Sequence, residues 1–376
     1  MIIEKYHYLD NASTTQKPQR VLRAMTNFYE QSYSNTHRGL YELSVKATDT
    51  YENARETVAE FIGAMSSEVV FTKNATESFN LLARSLKYKK VLVTELEHHS
   101  NFVPWQQLGE IKVLPYNLET ENLDDFKDYV KDVDVVSFTH MSNVTGRIID
   151  VKKVIENIRS VNKNCLIVVD GSQAVSHMKV DVKELDVDFY CFSSHKMYGP
   201  TGIGVLYGKE KILNEMPPFI FGGGMVRSVS KEKTEFMNSP SRFEAGTLDA
   251  AGAVGLKESV LYLKENFDEK LNREKELLRY LLEKFNENNI EYLGHKDEMY
   301  GPVVSFVPKV DVHDLAVFCD LNKVCIRVGH HCAEPLMKKL GVHATARASL
   351  SFYNTKKDID MLIKSIVDAG DRNVRN

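Results

Sequence analysis

CLIVVDGSQ (165–173) and DFYCFSSHK (188–196) both open as short apolar runs and break off abruptly into polar residues. A run that is apolar throughout is a strand with both faces covered, the habit of a parallel sheet layered by helices. Outward from these two, EVVF (68–71), VLVTE (91–95), VDVVSFTH (133–140) and GIGVLYG (202–208) have the same character. Helical stretches such as Glu77–Leu86 and Val151–Ser160 lie between them. Strands alternating with helices in this way predict an α/β protein with a mostly parallel sheet covered by helices.

The texture changes near Asp249. AAGAVGLKESVLYLKENF (250–267) and LNREKELLRYLLEKFNENN (271–289) read as two long amphipathic helices, and mixed strand and helix follow to the end. The expected boundary lies near residue 250, and the absence of repeats or a low-complexity linker predicts that the two parts pack together.

Composition excludes several classes. The 376 residues are 43% hydrophobic and 27% charged, which is globular rather than disordered. A net charge of -4 supplies no basic field, so neither nucleic acid nor an anionic membrane is an expected partner. No apolar run approaches the ~20 residues of a membrane span, and MIIEKYHYLD has no apolar core of a signal peptide. The five cysteines (Cys165, Cys191, Cys319, Cys325, Cys332) form no CxxC pair, so reduced thiols and a cytoplasmic location are expected.

In open α/β sheets ligands bind beyond the carboxyl ends of the strands. The residues there are Asn74-Ala75-Thr76, Glu97-His98-His99, Ser142-Asn143, Asp170-Gly171-Ser172-Gln173 and Ser193-Ser194-His195-Lys196. Asp170 ends a buried strand, where an ionised carboxylate needs a cationic partner. A partly desolvated Lys196 loses its proton readily and is suited to a Schiff base. Together they suit pyridoxal 5'-phosphate (PLP), with Asp facing the ring nitrogen and Lys the aldehyde; a helix cap and a surface lysine are the ordinary alternative. Ala75 and Thr76 open a helix whose N-terminus attracts an anion, and Ser193 and His195 add donors suited to phosphate; Thr76 as a simple N-cap is the rival. His98 is placed to lie on an aromatic ring, and Gln173 to donate to a phenolic oxygen or cap a turn.

Cys332 lies in RVGHHCAEP (327–335), where Arg327, His330 and His331 make an electropositive setting that favours thiolate. A buried structural thiol is the alternative there. A metal held by His330, His331, Cys332 and His343 is not expected, because three consecutive side chains rarely converge on one ion. Arg347 is a natural clamp for a substrate carboxylate, a surface salt bridge being its bland reading.

From YLDNASTTQKP (8–18) to SLSFYNT (349–355) the chain resembles the class V aminotransferase family and, within it, the SUF-type (group II) cysteine desulfurases. NTHRGLYELS (35–44), EHHSNFVPW (97–105), MSNVTG (141–146), VVDGSQAV (168–175), FSSHKMYGPTGIGVLYG (192–208), RFEAGT (242–247) and RVGHHCAEP carry the likeness. The resemblance implies PLP-dependent transferase fold type I, with a large PLP-binding domain over 16–250 and a small domain over 1–15 and 251–376. It implies that Lys196 binds the cofactor covalently, Asp170 pairs with its ring nitrogen, Gln173 with its ring hydroxyl, and His98 stacks on the ring. Ala75, Thr76, Ser193 and His195 would hold the phosphate, with Asn143 also at the cofactor. Thr247 matches a residue that reaches the neighbouring subunit's phosphate, which implies a homodimer. His37, Asn143, Arg327 and Arg347 would line the L-cysteine site, and Cys332 would carry the sulfur as a persulfide. A sulfur-acceptor protein, SufE-like or SufU-like, and iron–sulfur cluster assembly complete the expectation.

Three departures stand out: Val328 where Thr is usual, Leu248 where Pro usually follows GT, and FGGGMV (221–226), one residue shorter than the familiar form. None removes a chemical group named above. A selenocysteine lyase is the neighbouring alternative, and a non-catalytic scaffold is disfavoured because Lys196, Asp170 and Cys332 are all present.

Overall fold

Seven strands make the central sheet: β1 (Val69–Thr72), β2 (Lys90–Thr94), β3 (Glu110–Leu114), β4 (Val135–Thr139), β5 (Leu166–Asp170), β6 (Phe189–Ser193) and β7 (Gly204–Gly208). In this computed structural model, residues 5–373 are described apart from Arg38 and Asp124, so one position of the NTHRGLYELS motif lies outside the described residues. The strand order is β1-β7-β6-β5-β4-β2-β3. All neighbours from β6 to β3 run parallel. Only β7 is antiparallel to both its neighbours. The stretch from β6 to β7 is too short for a crossover helix, so the chain must turn back along β6.

Two details differ from the sequence reading. EIKVL at β3 is half-exposed and alternates polar with apolar, the pattern of a sheet edge rather than of a buried strand. Glu68 does not begin β1; it closes a 3₁₀ turn, its carboxylate accepting the Met65 N–H at 2.9 Å.

The expected helices form as Ala75–Ser85 and Val151–Val161, capped by the side chains of Asn74 and Asp150. Helices Ala75–Ser85 and His99–Leu108 cover one face of the sheet, with Phe79, Leu82 and Trp105 in the core between. On the other face Tyr51 and Val58 of Glu42–Phe61 join Leu256, Val260 and Leu263 of Ala250–Lys264. The latter helix lies beyond the expected boundary near 250, yet its apolar side packs with the large sheet.

A separate core begins with the next helix, Phe267–Glu287, through Leu277, Leu281 and Phe285. They pack on a three-stranded antiparallel sheet, β8 (Val303–Phe306), β9 (Arg327–Gly329) and β10 (Thr345–Ser349), ordered β8-β10-β9. Leu9 is buried in this second core, and His7–Tyr8 pairs with Val324–Cys325. Residues 7–9 therefore pack with the second core rather than with the large sheet. All five cysteines are unpaired, and among the described residues no helix is long and apolar enough to cross a membrane.

Candidate active site

The carboxyl ends of the parallel strands and the edge of the second sheet meet at a cavity of about 190 Å³. From the large sheet come Ala75 and Thr76 after β1, His98 after β2, Asn143 after β4, Asp170 at the end of β5, Ser193 at the end of β6, and His195 and Lys196 after it. From the second sheet come Arg327 on β9, Cys332 beyond it, and Arg347 on β10. These positions are far apart in the chain and converge only because two separate bodies close on one rim.

Asp170 is buried, and burial raises its carboxyl above the usual range, opposed by the nearby Lys196 charge. The Ser172 N–H donates to its Oδ1 at 2.9 Å. Burial in turn lowers the Lys196 ammonium, with Asp170 and Cys332 opposing and Arg347 and Arg327 reinforcing the fall. A lysine so placed holds a larger neutral fraction near neutral pH than a surface one. His98 is driven down to about 3, first by burial and then by the Lys196 charge, so it is neutral. Its Nδ1 accepts the Ser100 N–H at 3.1 Å, which leaves the ring proton on Nε2.

Arg347 is fully buried: Nη1 donates to the Asn143 carbonyl at 2.8 Å, and Nη2 to Ser13 Oγ at 2.8 Å and Asp10 Oδ1 at 3.2 Å. Its Nε has no hydrogen-bond partner among the described residues. Arg327 is exposed and donates to the same Ser13 hydroxyl at 3.0 Å. Asn143 Nδ2 donates to the His331 carbonyl at 2.8 Å, joining the loop of Cys332 to the Arg347 clamp. His331 and Cys332 are both left-handed, with φ of 53° and 56°, at a cost of about 1–2 kcal/mol each for residues bearing a Cβ.

A buried carboxylate, a depressed lysine, an anion-ready helix end and a thiol in one cavity can be set beside known proteins. The class-V aminotransferase family model matches residues 7–362. The chain belongs to the class-V aminotransferase family. A probable cysteine desulfurase of Staphylococcus aureus is 44% identical over 96% of this chain and 91% of its own length. The apo structure of a cysteine desulfurase from Thermococcus onnurineus superposes with a TM-score of 0.92 at 36% identity, covering 97% of this chain and 94% of that one. The Escherichia coli cysteine desulfurase CsdA, solved as an S-sulfonic acid, gives 0.88 at 33% identity, covering 97% and 95%. The architecture is that of PLP-dependent fold type I.

Class-V aminotransferases are PLP-dependent, and the cavity fits the group. PLP needs anion donors at one end, a carboxylate for its ring nitrogen and an amine for its aldehyde. The donor end is the start of helix Ala75–Ser85. There the Ala75 N–H meets Ser193 Oγ at 2.8 Å, Thr76 Oγ1 meets Ser100 Oγ at 2.7 Å, and the cap is Asn74 rather than Thr76. A Cβ on Gly204 would fall 2.6 Å from Asn74 Cα, so only glycine lets β7 pass beneath this turn. Asp170 and Lys196 supply the other two groups from adjacent strands.

His37, expected to line the substrate site, lies elsewhere, beside Thr247, which was expected to reach the neighbouring subunit. His37 and Thr247 lie together at a second cavity of about 480 Å³, His37 held by Glu52 at 3.0 Å. Within one chain His37 is thus not part of the Lys196 cavity, because the helix Glu42–Phe61 that follows it packs on the far face of the sheet. Gln173 is buried beside the cavity and donates Nε2 to the Ala12 carbonyl at 2.8 Å. Sequence reasoning did not single out Ala12, Ser13 and Ser100, which also line the cavity, as do Ser172 and His331, which it named without a role at the cofactor. Lys17 was missed as well. Its Nζ donates to the His195 carbonyl at 2.9 Å, and burial lowers it to about 8. The His195 carbonyl also accepts from both hydroxyls of Thr14 and Thr15, so this N-terminal segment fixes the turn that carries Lys196.

Proposed function

We propose that this chain is a PLP-dependent cysteine desulfurase that converts L-cysteine to L-alanine and keeps the sulfur as a persulfide on Cys332. The observation that carries the reading is a thiol lining the same cavity as Lys196, Asp170 and a buried arginine with donor capacity to spare. Bound PLP supplies the electron sink that makes the α-proton of cysteine labile and its Cβ–S bond breakable. Arg347, with Arg327 and Asn143 beside it, binds the substrate carboxylate and aims the amino acid's sulfur toward the loop of Cys332. Lys196 Nζ, with its lowered proton affinity, would take the α-proton and return a proton to the product. Asp170 would hold the ring nitrogen of the bound group and favour its protonated form. His98 donates its Nε2–H into the cavity. Cys332 Sγ attacks the substrate sulfur: an S–S bond forms, the Cβ–S bond breaks, and its electron pair stays with the carbon skeleton. That skeleton takes up protons and leaves as alanine.

The same reading makes the active form a homodimer in the cytoplasm, with the cavity of His37 and Thr247 facing the partner's cofactor. Its sulfur passes to a SufE-like or SufU-like acceptor for iron–sulfur clusters. The reading also divides the chain into a large PLP-binding domain and a small domain bearing Cys332, with the packing of Ala250–Lys264 favouring a seam at about residue 265 rather than 250.

The visible spectrum of purified protein reconstituted with PLP, taken before and after L-cysteine, tests the proposal. A yellow band that shifts on cysteine addition, with alanine accumulating, is the expected result. A protein that stays colourless after incubation with PLP defeats it.

A further inference from the structure

The left-handed pair His331–Cys332 needs neighbours to hold it, since side-chain-bearing residues adopt that backbone only when their surroundings enforce it. His99 makes several contacts to this loop. Its backbone N–H, the first of helix His99–Leu108, donates to the Cys332 carbonyl at 2.7 Å. Its Nε2 accepts the Glu334 N–H at 3.2 Å. Its ring stacks on His330 with centroids 5.6 Å apart and planes at 28°. His330 Nδ1 in turn accepts the Cys332 N–H at 3.1 Å. Two stacked imidazoles thus clasp the segment on either side of the thiol, both acting as acceptors.

His99, His330 and Glu334 also bring ligand atoms within 4.8 Å of one another, close enough for a shared cation. A neutral imidazole has a single lone pair, however, and both are committed here to N–H groups of the loop. The lone pairs favour a latch over a metal centre. Burial, with the neighbouring His330, keeps His99 below the usual imidazole range against the opposing charge of the Glu334 carboxylate 3.4 Å from Nε2, consistent with the neutral acceptor.

We propose that His99 is a positioning residue that latches the Cys332 loop in the geometry for sulfur attack, and that its release frees the loop to present the persulfide outward. This rests on the reading of Cys332 as sulfur carrier. His99 makes none of the substrate or cofactor contacts described above; its ring also lies near that of His98, with centroids 6.4 Å apart, so the spectral readout below separates a loop effect from one passed through His98.

The test compares His99→Ala and His99→Gln with wild type, all as PLP-loaded enzyme. Glutamine places an amide oxygen about where Nε2 stood, keeping the acceptor without the ring. Amide hydrogen exchange over 327–337 reads the latch without turnover; alanine formation and the cysteine-induced change in the visible spectrum read its consequence. For His99→Ala the expected results are exchange at residues 330–334 about 5–10-fold faster and alanine formation about 10-fold slower, the yield of losing one hydrogen bond and its ring contact. The spectral change should keep its wild-type rate, and His99→Gln should return the other two readouts to within about threefold of wild type. Unchanged exchange in His99→Ala overturns the proposal. So does a spectral change slowed as much as alanine formation, or a His99→Gln as impaired as His99→Ala. Were the desulfurase reading itself wrong, no variant would make alanine, while the exchange comparison would still decide the latch.

Discussion

Arg347 Nη1 donates to the backbone carbonyl of Asn143 at 2.8 Å, tying the second sheet to the loop after β4 at the cavity wall. Nη2 is held by Ser13 and Asp10, which leaves Nε as the donor without a partner among the described residues. The guanidinium is therefore fixed in plane before substrate arrives, and little side-chain entropy remains to be lost on binding. Burial lowers it to about 10, so it stays charged throughout the neutral range.

Lysine cannot reproduce that fork. Arg347→Lys should raise KM for L-cysteine about 10–30-fold while kcat changes less than about threefold, the signature of a lost ground-state clamp. Steady-state alanine production measures both. A KM within twofold of wild type would remove Arg347 from substrate binding.

Cys332 should separate substrate handling from sulfur transfer. Cys332→Ala deletes the attacking atom but keeps the hydrogen bonds of residue 332 to His330 and His99, which run through its backbone. Alanine formation from L-cysteine should fall at least about 100-fold, the scale for losing a covalent nucleophile. The cysteine-induced spectral change should persist. Alanine release from selenocysteine that survives in the same variant would instead mark a lyase.

Strand ends and strand order were unequally legible in the sequence. Asp170 and Lys196 could be found because one closes an apolar run and the other follows just past one, where a polar residue has few structural excuses. β3 was missed because an edge strand need not be apolar. Ser13, which touches both Arg327 and Arg347, carries no local signal: its position depends on Leu9 packing in a core built mainly from residues beyond 277. Likewise nothing in NTHRGLYELS says which face of the sheet His37 will occupy. Local periodicity shows what each strand end presents, but the closure of two bodies on one rim is a long-range property.

The cavity of His37 and Thr247 rests on a buried ion pair. Arg55 donates to both oxygens of Glu244, at 2.7 and 2.8 Å, and Glu244 also accepts from Tyr51 Oη at 2.9 Å and the Phe71 N–H at 2.8 Å. Removing one partner strands a buried charge. Glu244→Gln should therefore cost about 3 kcal/mol, less than the full penalty because Glu52 still pairs with Arg55. In differential scanning calorimetry the melting temperature should drop on the order of 5 °C or more. A drop below about 1 °C would show the pair to be dispensable.

His98 makes the sharpest statement about pH. With its imidazole held down to about 3, it is neutral from pH 5 to pH 9, carrying its proton on Nε2 because Nδ1 accepts the Ser100 N–H. A base depressed this far gains a second proton only well below the working range, so it contributes neither limb of the activity profile there. His98→Gln keeps a neutral N–H donor of similar reach but loses the flat ring. The kcat should fall about 10-fold through lost positioning, with kcat/KM keeping its wild-type shape between pH 5 and 9. If His98 instead titrated as a general acid or base near pH 6–7, the acidic limb of wild type would move or vanish in the variant. A profile of alanine formation at half-unit steps for both proteins distinguishes the two, because one outcome scales the curve and the other changes its form.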